Sequence, residues 1–243
     1  MAIFFDQYRL LIESVYTLVV VFCCLVIYLK TRRLYVISAY KGMLYFQNAF
    51  LWFAIAYVSR FLMIMTGIND YVLFGLDFFG YGVIAYNIFM LIFIYFLSLG
   101  GLFLVYSLVW KDFEQGLSDE GIFAWLIDSR IYMLHAIALV VSVLVIILKA
   151  PDIMYVTQIA LTGYGLLLTY NNYQKVSRHK TKHGFSQLYV LTMSLAFLGY
   201  VINFLSVFIF PIMPMIFLYA DIITTLIFLI FLYGIATIGH KDG

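Results

Sequence analysis

Long apolar runs, broken only by short polar connections, recur along the whole of this chain and leave few folds open to it. A helix of about 20 residues, rising about 1.5 Å per residue, crosses a hydrocarbon core of about 30 Å. Within that core every backbone N–H and C=O must find a partner inside the protein, which restricts the choice to helices and closed barrels. Barrel strands alternate apolar and polar residues over about 10 positions, whereas these runs are longer and uniformly apolar, so helices are expected. Of 243 residues, 65% are hydrophobic and 11% charged, with a mean hydropathy of +1.05. That is too little charge to cover a soluble domain of this size. The expected fold class is all-α: a polytopic membrane protein forming a single domain over residues 1–243.

Seven transmembrane helices are expected, near 9–29, 43–66, 82–109, 122–148, 153–175, 186–209 and 214–238. The third run is longer than one crossing needs. Its first part, "YVLFGLDFFGYG", carries Asp77 and three glycines, so residues 70–81 read as an interfacial or re-entrant segment. With the N-terminus outside, the inner side collects Lys30, Arg32, Arg33, Lys41, Lys111, Lys175, Arg178, Lys180, Lys182 and Lys241. The outer side keeps Arg9 and Lys149. Excess Lys and Arg mark the cytoplasmic side, so the expectation is a multi-pass protein of the cell membrane, N-terminus outside and C-terminus cytoplasmic. No cleavable signal segment is expected ahead of the first helix. The loop "KVSRHKTKH" is read as a solvated cytoplasmic loop beside anionic lipid headgroups, with no nucleic acid as partner. Cys23 and Cys24, adjacent in the first run, read as buried small apolar residues. With no long loop, any chemistry is expected within the bundle, and any signal would leave through a partner.

Arg60 stands inside the apolar run "AIAYVSRFLMIM". Counting back from Thr66, it lies roughly 9 Å below the outer surface. Asp221 near the start of the seventh helix, Asn203 near the end of the sixth and Glu13 near the start of the first fall in the same layer. An ionised side chain in a span costs about 2.5–3.5 kcal/mol on insertion scales, so such groups face the interior and pair. Asp221 is the expected partner, through a bidentate guanidinium–carboxylate contact, with Glu13 the alternative. The competing reading has Arg60 snorkelling to the headgroups. Asp77 and Asn87 complete the expected ligand-binding or gating set.

A second polar layer is expected at the inner end: Gln47 and Asn48, Asp128 and Arg130, and Asn171 and Asn172, with Asn87 and His135 between the layers. Asp128 and His135, seven apart, share a helix face. Together the layers suggest a polar path through the bundle. Gly100, Gly101, Gly163 and Gly165 read as points of close helix approach.

The charge layout suggests a parallel 3+1+3 repeat, with residues 1–110 and 150–243 as three-helix units and 111–149 as the linker helix. "KTRRLYV" at 30–36 stands beside "KTKHGFSQLYV" at 180–190. The segment "NNYQKVSRHKTKHGFS", 171–186, resembles the PQ-loop group, which includes the SWEET sugar transporters and the KDEL receptor. Gly184 and Ser186 match that group's Gly-x-Ser, while Asn171 and Asn172 stand where Pro and Gln belong, and the first half lacks the motif. The resemblance implies seven helices and alternating access, although the proline that supplies the hinge is missing. Residues 30–60 also resemble uncharacterised archaeal membrane proteins, which implies no activity.

Seven helices with the N-terminus outside also resemble rhodopsins, but the seventh helix has no lysine for a retinal Schiff base. His135 alone among the histidines lies in a span, and no Ser-His-Asp layout, phosphate-binding glycine loop or His-Glu-x-x-His motif occurs. No catalytic residues, metal site or cofactor are expected. Three functions stay open: a small-solute carrier, proton-coupled in one version; a retinal-free receptor signalling through a cytoplasmic partner; and a ligand-free scaffold subunit. A homo-oligomer or a membrane partner is compatible with each.

Overall fold

Proline is the main interrupter of membrane helices, and the one proline among the described residues breaks none. Pro151 occupies a first helical position, where its missing N–H costs nothing, and Pro211 and Pro214 lie outside the described residues. The computed structural model describes residues 2–72, 81–115, 130–178, 184–209 and 216–241. These form seven helices: α1 (Ala2–Ser38), α2 (Lys41–Val72), α3 (Tyr81–Gln115), α4 (Arg130–Leu148), α5 (Pro151–Arg178), α6 (Gly184–Ile209) and α7 (Ile216–Lys241). Among the described residues there is no strand.

Five of the helices, α1 to α5, carry stretches long and apolar enough to cross a membrane, from Leu11–Ile37 to Asp152–Asn171. The described apolar stretches of α6 and α7 are shorter, Met193–Leu205 and Tyr219–Ile235. The chain is a helical protein of membrane character.

Several helices overrun their expected spans. Helix α1 has 37 residues, about 55 Å at helical rise, against a hydrocarbon core of about 30 Å. Lys30, Arg32 and Arg33, expected in a connection, therefore stand exposed on α1, and Lys41 opens α2. Lys and Arg are good helix formers, and a helix leaving lipid for water has no reason to stop at the boundary. The actual connection is Ala39 and Tyr40. Ala39 adopts a φ of 51° and donates its N–H to the Tyr35 carbonyl at 2.8 Å, a left-handed cap that ends α1. Likewise Tyr71 and Val72 continue α2, and Tyr81 and Gly82 open α3. Only residues 73–80 of the expected re-entrant segment lie between helices, outside the described residues with Asp77. Asp128 also lies outside them, so the face it was expected to share with His135 has no described counterpart.

Packing closes the helices into a ring. Helix α1 touches α2 and α7, α2 touches α3, α3 touches α5, α5 touches α6 and α6 touches α7. Helix α4 lies outside this ring, laid across α3 and α5. Its Ile131, Tyr132, Leu139, Val140, Ile147 and Leu148 are all exposed, as suits a surface that meets lipid chains. Close approach between α2 and α3 rests on Gly100, where a Cβ would come within 2.6 Å of the Phe53 ring, and on the stacked rings of Trp52 and Phe96, 5.4 Å apart. Cys23 and Cys24 are buried free thiols in α1.

Candidate functional site: a charged cavity on the ring axis

Arg60 is held by two acids at once. Its Nη2 donates to Glu13 Oε1 of α1 at 2.9 Å and to Asp221 Oδ1 of α7 at 2.8 Å. The carboxylate-bearing side chains are nearly buried, at 6% and 9% exposure, and that of Arg60 is 18% exposed. The expected bidentate fork to Asp221 is therefore replaced by one nitrogen bridging two carboxylates. These are charge-assisted contacts at their usual length. The guanidinium also lies over the Tyr16 ring, 4.7 Å from its centroid, a cation–π contact that adds attraction where solvent is scarce. Arg60 does not snorkel: its charge is met inside the bundle.

These groups border a cavity of about 180 Å³. All six ring helices contribute to its wall, through Glu13, Arg60, Leu97, Tyr155, Asn203 and Asp221, while α4 contributes none among the described residues. The cavity thus sits on the ring axis. Its neighbour, an aromatic chamber of about 50 Å³, is lined by Phe50, Phe53, Phe228 and Phe231 and shares Tyr57, Tyr200 and Asn203 with it. Asn203 donates to the Gly199 carbonyl at 2.8 Å, which fixes its side chain at this shared wall.

Sequence reasoning missed the tyrosines. Tyr16, Tyr57, Tyr155 and Tyr200 all line the charged cavity. The signal was present: Tyr16 follows Glu13 by three positions, Tyr57 precedes Arg60 by three, and Tyr200 precedes Asn203 by three. Residues three apart share a helix face, so each polar group carries a ring one turn along. Tyr16 and Tyr57 meet edge to face at 5.7 Å, and Tyr57 meets Phe228 at 5.6 Å, which joins the charged cavity to the aromatic chamber.

Of the remaining expected residues, none that is described lines this cavity. Asn87 is exposed on α3 and does not line the cavity, contrary to expectation. Gln47 is buried and Asn48 half-buried on α2, and Gln47 lies 13 residues from Arg60, about 20 Å along the helix. Asn171 is exposed; Asn172 lies in α5, its side chain outside the described residues. His135 is half-buried on the peripheral α4, hydrogen-bonded to Tyr95 and set edge-on to Trp52 at 6.0 Å. Among the described members of the expected inner layer, Gln47 is buried on α2, Asn171 is exposed on α5 and His135 lies on the peripheral α4.

One buried polar residue was not anticipated. Gln158 of α5 is fully buried, and neither its Oε1 nor its Nε2 has a hydrogen-bond partner among the described residues. It rests in a notch left by Gly101, where a Cβ would fall 2.3 Å from Oε1. By contrast, Ser59, Ser142, Thr162, Thr169 and Thr224 satisfy their hydroxyls on carbonyls four residues back.

In comparisons with known proteins, no family model matches this chain and no solved structure matches it. The chain is similar to an uncharacterised protein of the archaeon Archaeoglobus fulgidus, 24% identical over 183 residues, covering 74% of this chain and 73% of that protein.

Proposed function

We propose that this protein is a multi-pass carrier for a small solute, which binds in the cavity at Arg60. The observation that carries the reading is the wall of that cavity: six helices of a ring each place a residue on one axial hollow, with a neutralised guanidinium at its border. A scaffold has no use for a charged hollow on its axis, since burying charges costs several kcal/mol per ion even after relaxation. Intramembrane ionisable groups facing a cavity mark substrate and ion pathways.

In this reading all seven helices cross the cell membrane and the cavity lies in the outer half. The exposed basic residues at the far end of α1 and the start of α2 face the cytoplasm and its anionic headgroups. Two three-helix units joined by α4 would move against each other around the cavity, as the resemblance to the PQ-loop group implies. In this reading a proton is the coupling ion, carried by the carboxylates at the cavity wall.

The test is uptake from a defined mixture of amino acids, sugars, amines and short carboxylic acids into proteoliposomes, read by mass spectrometry with and without a pH gradient. Uptake of at least one compound, lost in Asp221→Asn, supports the carrier. Binding without uptake favours a receptor instead, and neither binding nor uptake leaves a scaffold.

A further inference from the structure

Beside the charged cavity, on the flank of the ring, a groove of about 250 Å³ runs between α1 and α7. Leu11, Ile12, Val15, Val19 and Ile222 line it. Leu11, Val15 and Ile222 are exposed, so the groove opens away from the bundle, toward the side that meets lipid chains. Thr225 adds no polarity to it, because its hydroxyl donates to the Asp221 carbonyl at 2.8 Å. The floor is different in kind: Tyr16 and Asp221 line both the groove and the charged cavity. These two residues are therefore the partition between the hollows. The feature is more than a lipid-facing surface, for the exposed face of α4 is also apolar and lines neither hollow among the described residues.

We propose that the groove and the adjoining edge of the cavity bind a single-chain amphiphile with an uncharged hydroxyl head, drawn from the bilayer. The chain lies in the groove, and the head passes the Tyr16 ring to meet Asp221 on the cavity side. This site requires no transport and goes beyond the carrier reading. Size suits the chain: a 150 Å³ cavity admits benzene and its six carbons, so a groove of about 250 Å³ accommodates roughly ten, and an octyl chain fits. The chemistry of the partition selects the head. Arg60 already meets Glu13 at 2.9 Å and Asp221 at 2.8 Å, and a further charged group would have to shed its water beside that cluster. A hydroxyl donates to a carboxylate, which can accept about four hydrogen bonds, and brings no charge. Neither part explains the other: a water-soluble solute gains nothing from an apolar groove, and a hydrocarbon gains nothing from Asp221.

The full chain in lipid nanodiscs is photolabelled with two forms of 1-octanol, one carrying a diazirine near its methyl end and the other near its hydroxyl, and the cross-links are mapped by mass spectrometry. The tail-end probe is expected on Leu11, Val15 and Ile222, and the head-end probe on residues of the cavity alone, Arg60 and Tyr155. Excess unlabelled 1-octanol should suppress both patterns, while labelling of Leu139 and Val140 on α4 stays unsaturated. Octylammonium and octanoate should compete about tenfold or more weakly than 1-octanol. Val15→Trp, which fills the groove, should weaken both patterns about tenfold, the loss of roughly two buried methylenes, and leave α4 unchanged. The wild-type pattern decides even where the variant fails to fold. Groove labelling no more saturable than that of α4 overturns the site. Octylammonium or octanoate competing as well as 1-octanol overturns the uncharged head, and cavity labelling that persists at full strength in a folded Val15→Trp overturns entry from the lipid side. The carrier reading fails separately, when no compound in the uptake mixture enters proteoliposomes.

Discussion

Arg60 on α2 and His135 on α4 are both titratable residues within apolar spans, and the structure treats them differently. Arg60 meets acids from α1 and α7 at the edge of a hollow walled by six helices. His135 sits on the one helix outside the ring, satisfied by Tyr95 and packed among Trp52 and Phe103. One is a junction between helices distant in sequence; the other is a polar residue absorbed by local aromatic packing. A titratable group within a span is therefore not a site by itself. It becomes a candidate when its partners come from several elements and when space is left beside it.

The contrast can be broken most readily by removing each residue in turn and following unfolding in mixed micelles by circular dichroism. Arg60→Met removes the cation that two nearly buried carboxylates share and should destabilise the fold by about 3–5 kcal/mol. The triple variant Glu13→Gln, Arg60→Met, Asp221→Asn should recover most of that loss, because neutral groups carry a far smaller desolvation cost. If the triple variant is no more stable than Arg60→Met, the charge cluster is not what the single substitution exposes. Glu13→Gln and Asp221→Asn alone should each cost about 1.5–3 kcal/mol, since the other acid still holds the guanidinium.

A smaller effect is expected within the ring itself, at Gly101, where α3 faces α5. Gly101→Ala drives a Cβ to within 2.3 Å of Gln158 Oε1 and should cost about 1–3 kcal/mol in the same assay. Gly163→Ala meets Phe197 at 3.3 Å and should be tolerated better. Smallest of all, Tyr95→Phe removes the hydroxyl that satisfies His135 and should cost about 0.5–1.5 kcal/mol. A loss at Tyr95 as large as that at Arg60 would erase the distinction between the two regions.

The shared depth of Glu13, Arg60, Asn203 and Asp221 was legible because residues along a helix measure height, and apolar runs mark where the count begins. The expectation of one partner for Arg60 fell short because sequence depth says nothing about azimuth: two acids at one level can both face one cation. Azimuth is hard to read in lipid, where an outward face such as that of α4, with Leu139, Val140 and Ile147 exposed, is itself apolar. The ring order, the peripheral place of α4 and the exposure of Asn87 and Asn171 all depend on it, and none was legible. The tyrosines were hidden for another reason, since aromatic residues near helix ends are readily assigned to interfacial belts. Their three-residue spacing from Glu13, Arg60 and Asn203 would have set Tyr16, Tyr57 and Tyr200 apart. Gln158 lay in an ordinary span, and only its opposition to Gly101 across α3 and α5 gives it meaning.

The central claim is that one guanidinium ties α1, α2 and α7 together by bridging an acid from each neighbour. Double-mutant cycles for Arg60 with Glu13 and for Arg60 with Asp221, measured by unfolding in mixed micelles, test it directly. The account predicts coupling of about 0.5–3 kcal/mol in both cycles, as expected for groups in contact. Additivity within about 0.3 kcal/mol in either cycle would contradict it.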